Sequence, residues 1–282
     1  MVGSSTLLPK DALAGKLLAL SVSQCPDVGR LGLLDSHLRL VLGEVTRTLV
    51  LAGGQLGYGG HLEPSGYTAF LVNELYRYSR RDEPVKVVLA WDNHSSMSSE
   101  ELVETIRKYS LHAEVMVLSP AGNRITLEER HTLLETGKVE GDPREWLTGM
   151  RRYLTSMSDA HFLIGGTRSN YSGRYPGVVE EALMALQAGR PIYPAAGFGG
   201  ATYDIAKTIY SGLVEFDLPY TSSDSGLETG LEEIRLVLER AGPPVETGLS
   251  SDEMRRLMSS YRPSEIASLV GLGMGRRQQA KS

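Results

Sequence analysis

The sequence predicts an α/β fold: a Rossmann-like, doubly wound parallel sheet with helices on both faces and a helical C-terminal extension. Three observations carry this expectation. Short apolar runs alternate with segments whose apolar residues recur at helical spacing, the runs are nearly continuous in apolar residues as buried parallel strands are, and glycine clusters follow three of them. The chain divides into an arm over residues 1–15, expected to be flexible, a Rossmann-like domain over 16–220, and a helical extension over 221–282 whose tail after residue 261, ending GRRQQAKS, is expected to be disordered.

Taken in order, residues 16–22 (KLLALSV) predict the first buried strand, with Ser21, Ser23 and Asp27 at its carboxyl end, and 33–46 predict a helix. Residues 48–54 (TLVLAGG) predict the second strand. Its paired glycines open a loop in which Gly53, Gly54, Gly57, Gly59 and Gly60 are expected to leave backbone amides uncovered for a ligand, with a helix over 68–78 behind them. A strand is predicted at 85–91, a helix at 98–109 announced by its Ser-Ser-Glu-Glu start, and a strand at 113–118. Residues 124–135 predict a helix, 136–142 an insertion loop, and Asp142 with Pro143 the start of a helix through 157.

The stretch 158–194 organises the rest. An apolar run at 160–164 ends in Gly165 and Gly166, a polar loop follows, and a helix opens near Gly177 and stops at Gly189 before a strand at 191–194. A helix amino end above the carboxyl end of a parallel strand is where phosphates bind, drawn by the helix dipole and free amides. Arg168 and Arg174 bracket this loop as candidate phosphate partners. Glu180 and Glu181 in the first turns either reach a ribose hydroxyl or only complement the helix dipole as solvated residues. A third glycine cluster, GFGGAT with Gly199 and Gly200, precedes a helix at 203–210; helices at 227–241 and 251–261 follow.

The 282 residues are 41% hydrophobic and 22% charged, with a formal net charge of −5, which argues against a general nucleic-acid or membrane surface. The single cysteine, Cys25, excludes an internal disulfide, fits a reducing compartment, and is either a loop thiol or a nucleophile without a visible base. No apolar run approaches the roughly 18 residues of a membrane span and no signal-peptide core is visible, so a cytoplasmic location is expected. The histidines His37, His61, His94, His112, His131 and His161 show no metal spacing, and no loop is a Walker sequence or a GxGxxG followed by the expected acid; neither metal nor cofactor is expected.

The run LEERHTLL, 127–134, resembles the MHxRKxxM helix motif of the LOG phosphoribohydrolases, and GVVEEAL, 177–183, resembles the end of their PGGxGTxxE motif. AGG at 52–54 is similar to the glycine loop after that family's second strand. The resemblance makes Arg130 and Glu181 the pair that serves cleavage of a ribosyl bond. His131 stands where the family has lysine, Arg174, Tyr175 and Pro176 where it has the paired glycines and the residue after them, and Val178 where it has threonine. With CPDVGRLGL, AGGQLGYGG and GFGGAT, this pattern over about 16–210 resembles the wider SLOG superfamily, in the branch of bacterial conflict systems that recognises NAD-derived nucleotides. The resemblance implies a sensor of a nucleotide or ADP-ribose-like molecule, a homo-oligomer (a dimer or higher), and a TIR-type signalling protein as partner. The alternative is an N-glycosidase of phosphoribohydrolase type, in which Glu181 stabilises or attacks the anomeric carbon and Arg130 holds the phosphate.

Overall fold

The computed structural model describes residues 8–78, 84–137, 139–218 and 224–280. In chain order the elements are β1 (Leu17–Ser23), α1 (Pro26–Arg30), α2 (Asp35–Leu51), β2 (Gln55–Gly59), α3 (Tyr67–Tyr78), β3 (Val85–Leu89), α4 (Trp91–Ser95), α5 (Ser99–Tyr109), β4 (Ala113–Leu118), β5 (Arg124–Ile125), α6 (Leu127–Glu135), α7 (Pro143–Met157), β6 (Ala160–Gly165), α8 (Gly177–Gln187), β7 (Ile192–Ala195), α9 (Gly200–Ile209), α10 (Ser225–Ala241), α11 (Ser251–Ser259) and α12 (Pro263–Gln279). The strands form one seven-stranded sheet in the order β5-β4-β3-β2-β1-β6-β7, parallel except where the short β5 pairs with β4. Winding runs outward from β1 to β4 and then restarts on the other side at β6. The reversal between β1 and β6 is the switch point at which an open α/β sheet forms its crevice.

Alternation along the strands sends one set of side chains to each face. Leu18, Leu20, Leu56, Val87, Phe162 and Tyr193 pack under α2, α3 and the C-terminal helices, while Ala19, Val88 and Met116 meet Met150 and Leu154 of α7. A further cluster joins Leu163 and Ile192 to α8, α9 and α10. Helices therefore cover both faces. No helix among the described residues is long and apolar enough to cross a membrane.

The second strand lies downstream of its expected place. The apolar residues of 48–51 continue the buried stripe of α2, Leu38, Val41, Leu42, Val45 and Leu49, at helical spacing, so this run is the end of a helix. Gly53, at φ 84, and Gly54 then turn the chain into β2 at the amino edge of the sheet, opposite the edge on which the phosphate loop was expected. Gly57 lies inside β2. A Cβ there would stand 2.7 Å from Leu154 Cδ1, and one at Gly59 would overlap Met150 Sδ. Both glycines let α7 lie close on the sheet.

The ends of the chain are also better packed than the sequence suggests. Leu13 is fully buried and its amide donates to Ala52 O at 2.8 Å, so the described part of the arm, from residue 8, is held against the core; residues 1–7 lie outside the described residues. Most of the expected disordered tail is α12 itself, which buries Ile266, Leu269, Val270 and Met274 and meets α2 where Gly271 faces Thr48. Only 281–282 of it fall outside the described residues.

Candidate functional site

The carboxyl ends of β1, β2 and β6 surround a cavity of about 510 Å³ at the switch point, within the range of small-molecule sites. Ser23 and Gln24 form its floor after β1, Gly59, Gly60 and His61 its rim after β2, and Thr167, Tyr171 and Ser172 its wall after β6. Gly177, Val178 and Glu181 of α8 close the other side. The loop after β6 is pinned at both ends: Thr167 N donates to Ser23 Oγ at 3.2 Å, and Tyr171 Oη donates at 2.8 Å to Asp224 Oδ1, which also caps the first turn of α10.

The geometry of α8 sets the polar end of the cavity. Pro176 precedes the helix, and its carbonyl takes up the amides of Val179 and Glu180. The amides of Gly177 and Val178 have no intrahelical acceptor. Glu181, one turn further in and 7% exposed, points back toward that amino end as helical side chains do. Its Oε1 stands 3.9 Å from Arg151 Nε, while Oε2 is buried without a complete hydrogen bond. Burial pushes the Glu181 carboxyl up to about 7. The Arg151 charge and the Ser21 hydroxyl pull it down, and the neighbouring Glu180 adds to the rise.

Arg151 was not among the residues that the sequence singled out. It occupies the buried face of α7 with Leu147, Met150 and Leu154, at i, i+3, i+4 and i+7, and an arginine on such a stripe is the signal that could have found it. Its Nη1 bonds Glu180, whose other oxygen accepts from Thr148 Oγ1 at 2.5 Å. Glu180 is thereby consumed by the scaffold, and Glu181 remains the carboxylate that faces the cavity. The aromatic wall was missed too. Tyr58 and Tyr67, edge to face with centroids 6.5 Å apart, stand at and beyond the end of the displaced strand.

Of the residues expected to bind a ligand, Ser23, Gly59, Gly60, Gly177 and Glu181 line the cavity. The others do not line it. Arg168 is buried between two carboxylates, its Nη1 on Asp27 Oδ2 and its Nε on Asp204 Oδ2, each at 2.5 Å, and Asp27 Oδ2 also accepts from Gly200 N at 2.8 Å. Neither Arg168 nor Asp27 is open to a diphosphate. A Cβ at Gly165 would stand 2.5 Å from Ser23 O, one at Gly199 2.6 Å from Asp27 Cβ, and one at Gly200 2.6 Å from Gly165 O, while Ala201 N bonds Gly166 O. These glycines close the ends of β6 and α9 on each other. Arg174 is exposed and stacks on Tyr175 at 5.4 Å.

The pair expected for ribosyl cleavage is not assembled around the cavity. Arg130 is 1% exposed, donates from Nη2 to the carbonyls of His94 and Met97 at 2.5 and 2.6 Å and from Nε to His94 Nδ1 at 3.1 Å, and does not reach the cavity wall. Burial and the arginine push His94 down to about 4, keeping it neutral, with Nε2 bonded to Leu118 O. Arg130 thus ties α6 to α4. Among the described residues no cluster of His, Cys, Asp and Glu has the arrangement of a metal site. Cys25 is buried beside Phe198 O, and burial raises its thiol, the opposite of an activated nucleophile.

Comparison with curated proteins finds none that matches this chain. A family model described as SLOG cluster2 matches residues 12–229, a span that holds every strand of the sheet, the whole wall of the cavity and the first turn of α10. The chain therefore belongs to the SLOG superfamily.

Proposed function

We propose that the cavity at the β1–β6 switch point binds a ribonucleotide of the AMP or ADP-ribose type, and that the protein acts as its receptor. One observation supports this above the rest: Glu181 lines the cavity one helical turn inside the two free amides that open α8, with its Oε1 3.9 Å from Arg151 Nε and without a hydrogen bond. Phosphate at the amides and a ribose hydroxyl at the carboxylate satisfy both at once. Tyr67, Tyr171 and His61 offer flat faces for a base at the opposite wall. Membership of the SLOG superfamily agrees with a nucleotide-related role.

A second reading, hydrolysis of the base–ribosyl bond, is favoured by Glu181 being held at about 7, a value suited to proton transfer near neutral pH. The placement of Arg130 in the scaffold weighs against it. Calorimetric titration with AMP and ADP-ribose, followed by chromatography of the same mixtures, tests both readings. Binding without release of free base is expected. Steady base release by the wild type, lost in Glu181→Gln, overturns the receptor in favour of the hydrolase, and absence of binding and of turnover overturns the nucleotide site itself.

A further inference from the structure

On the reading of the cavity as a nucleotide site, we propose that Tyr58 is its second sugar-reading residue: its hydroxyl donates to one of the vicinal ribose hydroxyls while Glu181 accepts from the other.

Tyr58 stands one residue before the end of the parallel strand β2. Its ring belongs to the core beneath α2 and α3, and the side chain is 6% exposed, yet among the described residues its hydroxyl has no hydrogen-bond partner. That hydroxyl is not sealed in the interior, for Tyr58 lines the cavity. A buried phenol with no partner costs free energy unless something outside the fold completes it. The direction of the ring is fixed by Gly60, because a Cβ at that position would collide with Tyr58 Cε1. The absence of a side chain at residue 60 thus aims the phenol along the strand toward the carboxyl edge.

Glu181 is the complementary group. It is equally buried and lines the same cavity; its Oε2 is sealed beside Ser21, and Oε1, 3.9 Å from Arg151 Nε, is the oxygen that is not sealed and accepts no hydrogen bond. Burial, and after it the Glu181 charge, raises the Tyr58 phenol above its ordinary range and keeps it a donor. An ionised carboxylate only accepts, and a neutral phenol in this position donates. The cavity lining therefore includes one unmet donor and one carboxylate oxygen without a hydrogen bond, brought to it by residues that pack on opposite faces of the sheet. A ligand edge that satisfies both must itself offer an acceptor and a donor side by side, and a vicinal diol does so.

The distance along α8 selects a ribose over other such edges. Glu181 lies four residues into the helix from Gly177, about 6 Å of rise, and its side chain leans back toward the free amides. A phosphate seated on those amides places the sugar that carries it, and not the base, opposite Glu181 and Tyr58.

The experiment compares AMP with 2′,3′-dideoxy-AMP on the wild type and on Tyr58→Phe by calorimetry. The wild type is expected to prefer AMP. Tyr58→Phe is expected to weaken AMP by roughly 3- to 10-fold, the worth of one neutral hydrogen bond, and to leave the dideoxy compound unchanged. Gly60→Ala, which displaces the ring, is expected to reduce the preference for AMP in the same way. AMP binding with equal affinity in wild type and Tyr58→Phe, or an equal loss for both ligands, overturns the role of Tyr58 and leaves the nucleotide site standing. A wild type that binds AMP without preferring it to the dideoxy compound overturns the role without recourse to a variant. A wild type that binds neither compound removes the nucleotide site and this role together.

Discussion

Glu181 links the site to the stability of the fold. Its folded value near 7 lies above the ordinary 4.5, so the folded chain holds a proton that the unfolded chain releases between these values. Stability from this group is full below pH 4.5 and is lost as pH rises through 7, a change of about 3 kcal/mol for a shift of this size. Glu181→Gln keeps the neutral form at every pH. Urea melts are expected to show this variant more stable than the wild type by about 3 kcal/mol at pH 8, with the gap closing by pH 5. A variant no more stable at pH 8 would show that Arg151 already stabilises the ionised carboxylate.

The elements show what the sequence could and could not convey. The run from β6 through α8 was legible because each local signal agreed with the next: a continuous apolar strand, a glycine stop, a polar loop, then a helical stripe ended by Gly189. β2 was illegible for a physical reason. Its sequence QLGYG has weak strand propensity, since Gly57 and Gly59 have traded side chains for the approach of α7, whereas the apolar end of α2 imitates a strand. Misplacing that strand moved the expected glycine loop to the wrong edge and hid Tyr58, His61 and Tyr67. Gly57→Ala separates the two meanings of the glycine. Its Cβ would press on Leu154 and Leu17, so thermal or urea unfolding is expected to show a loss of about 1–2 kcal/mol, with ligand affinity retained. A loss of affinity at unchanged stability would restore the phosphate-loop meaning.

At the scale of the molecule, the helices beyond the family match are part of the same body. α12 lies along α2 and buries a stripe that includes Ile266, Val270 and Met274, while Tyr193 Oη of the outermost strand donates to Thr247 O at 2.6 Å. Deleting 263–282 uncovers the apolar side of α2. The shortened chain is expected to melt at a lower temperature and to bind a hydrophobic dye in calorimetric and fluorescence scans; an unchanged melting temperature would make α12 a dispensable appendage. Its role was hidden in the sequence because Gly271, Gly273 and Gly275, which lower helix propensity, are the residues that let the helix come close to Thr48, Tyr193 and Leu8.

The carboxylate of Asp27, held by Arg168 and by the first amide of α9, bears on ligand counting. Two helix amino ends reach this edge of the sheet after β6 and β7, and the second is already neutralised by an anion that the chain supplies to itself. A diphosphate bridging the two ends is thereby refused. Of these two ends only that of α8 is vacant, so on the reading of the cavity as a nucleotide site a stoichiometry of one nucleotide per polypeptide is expected.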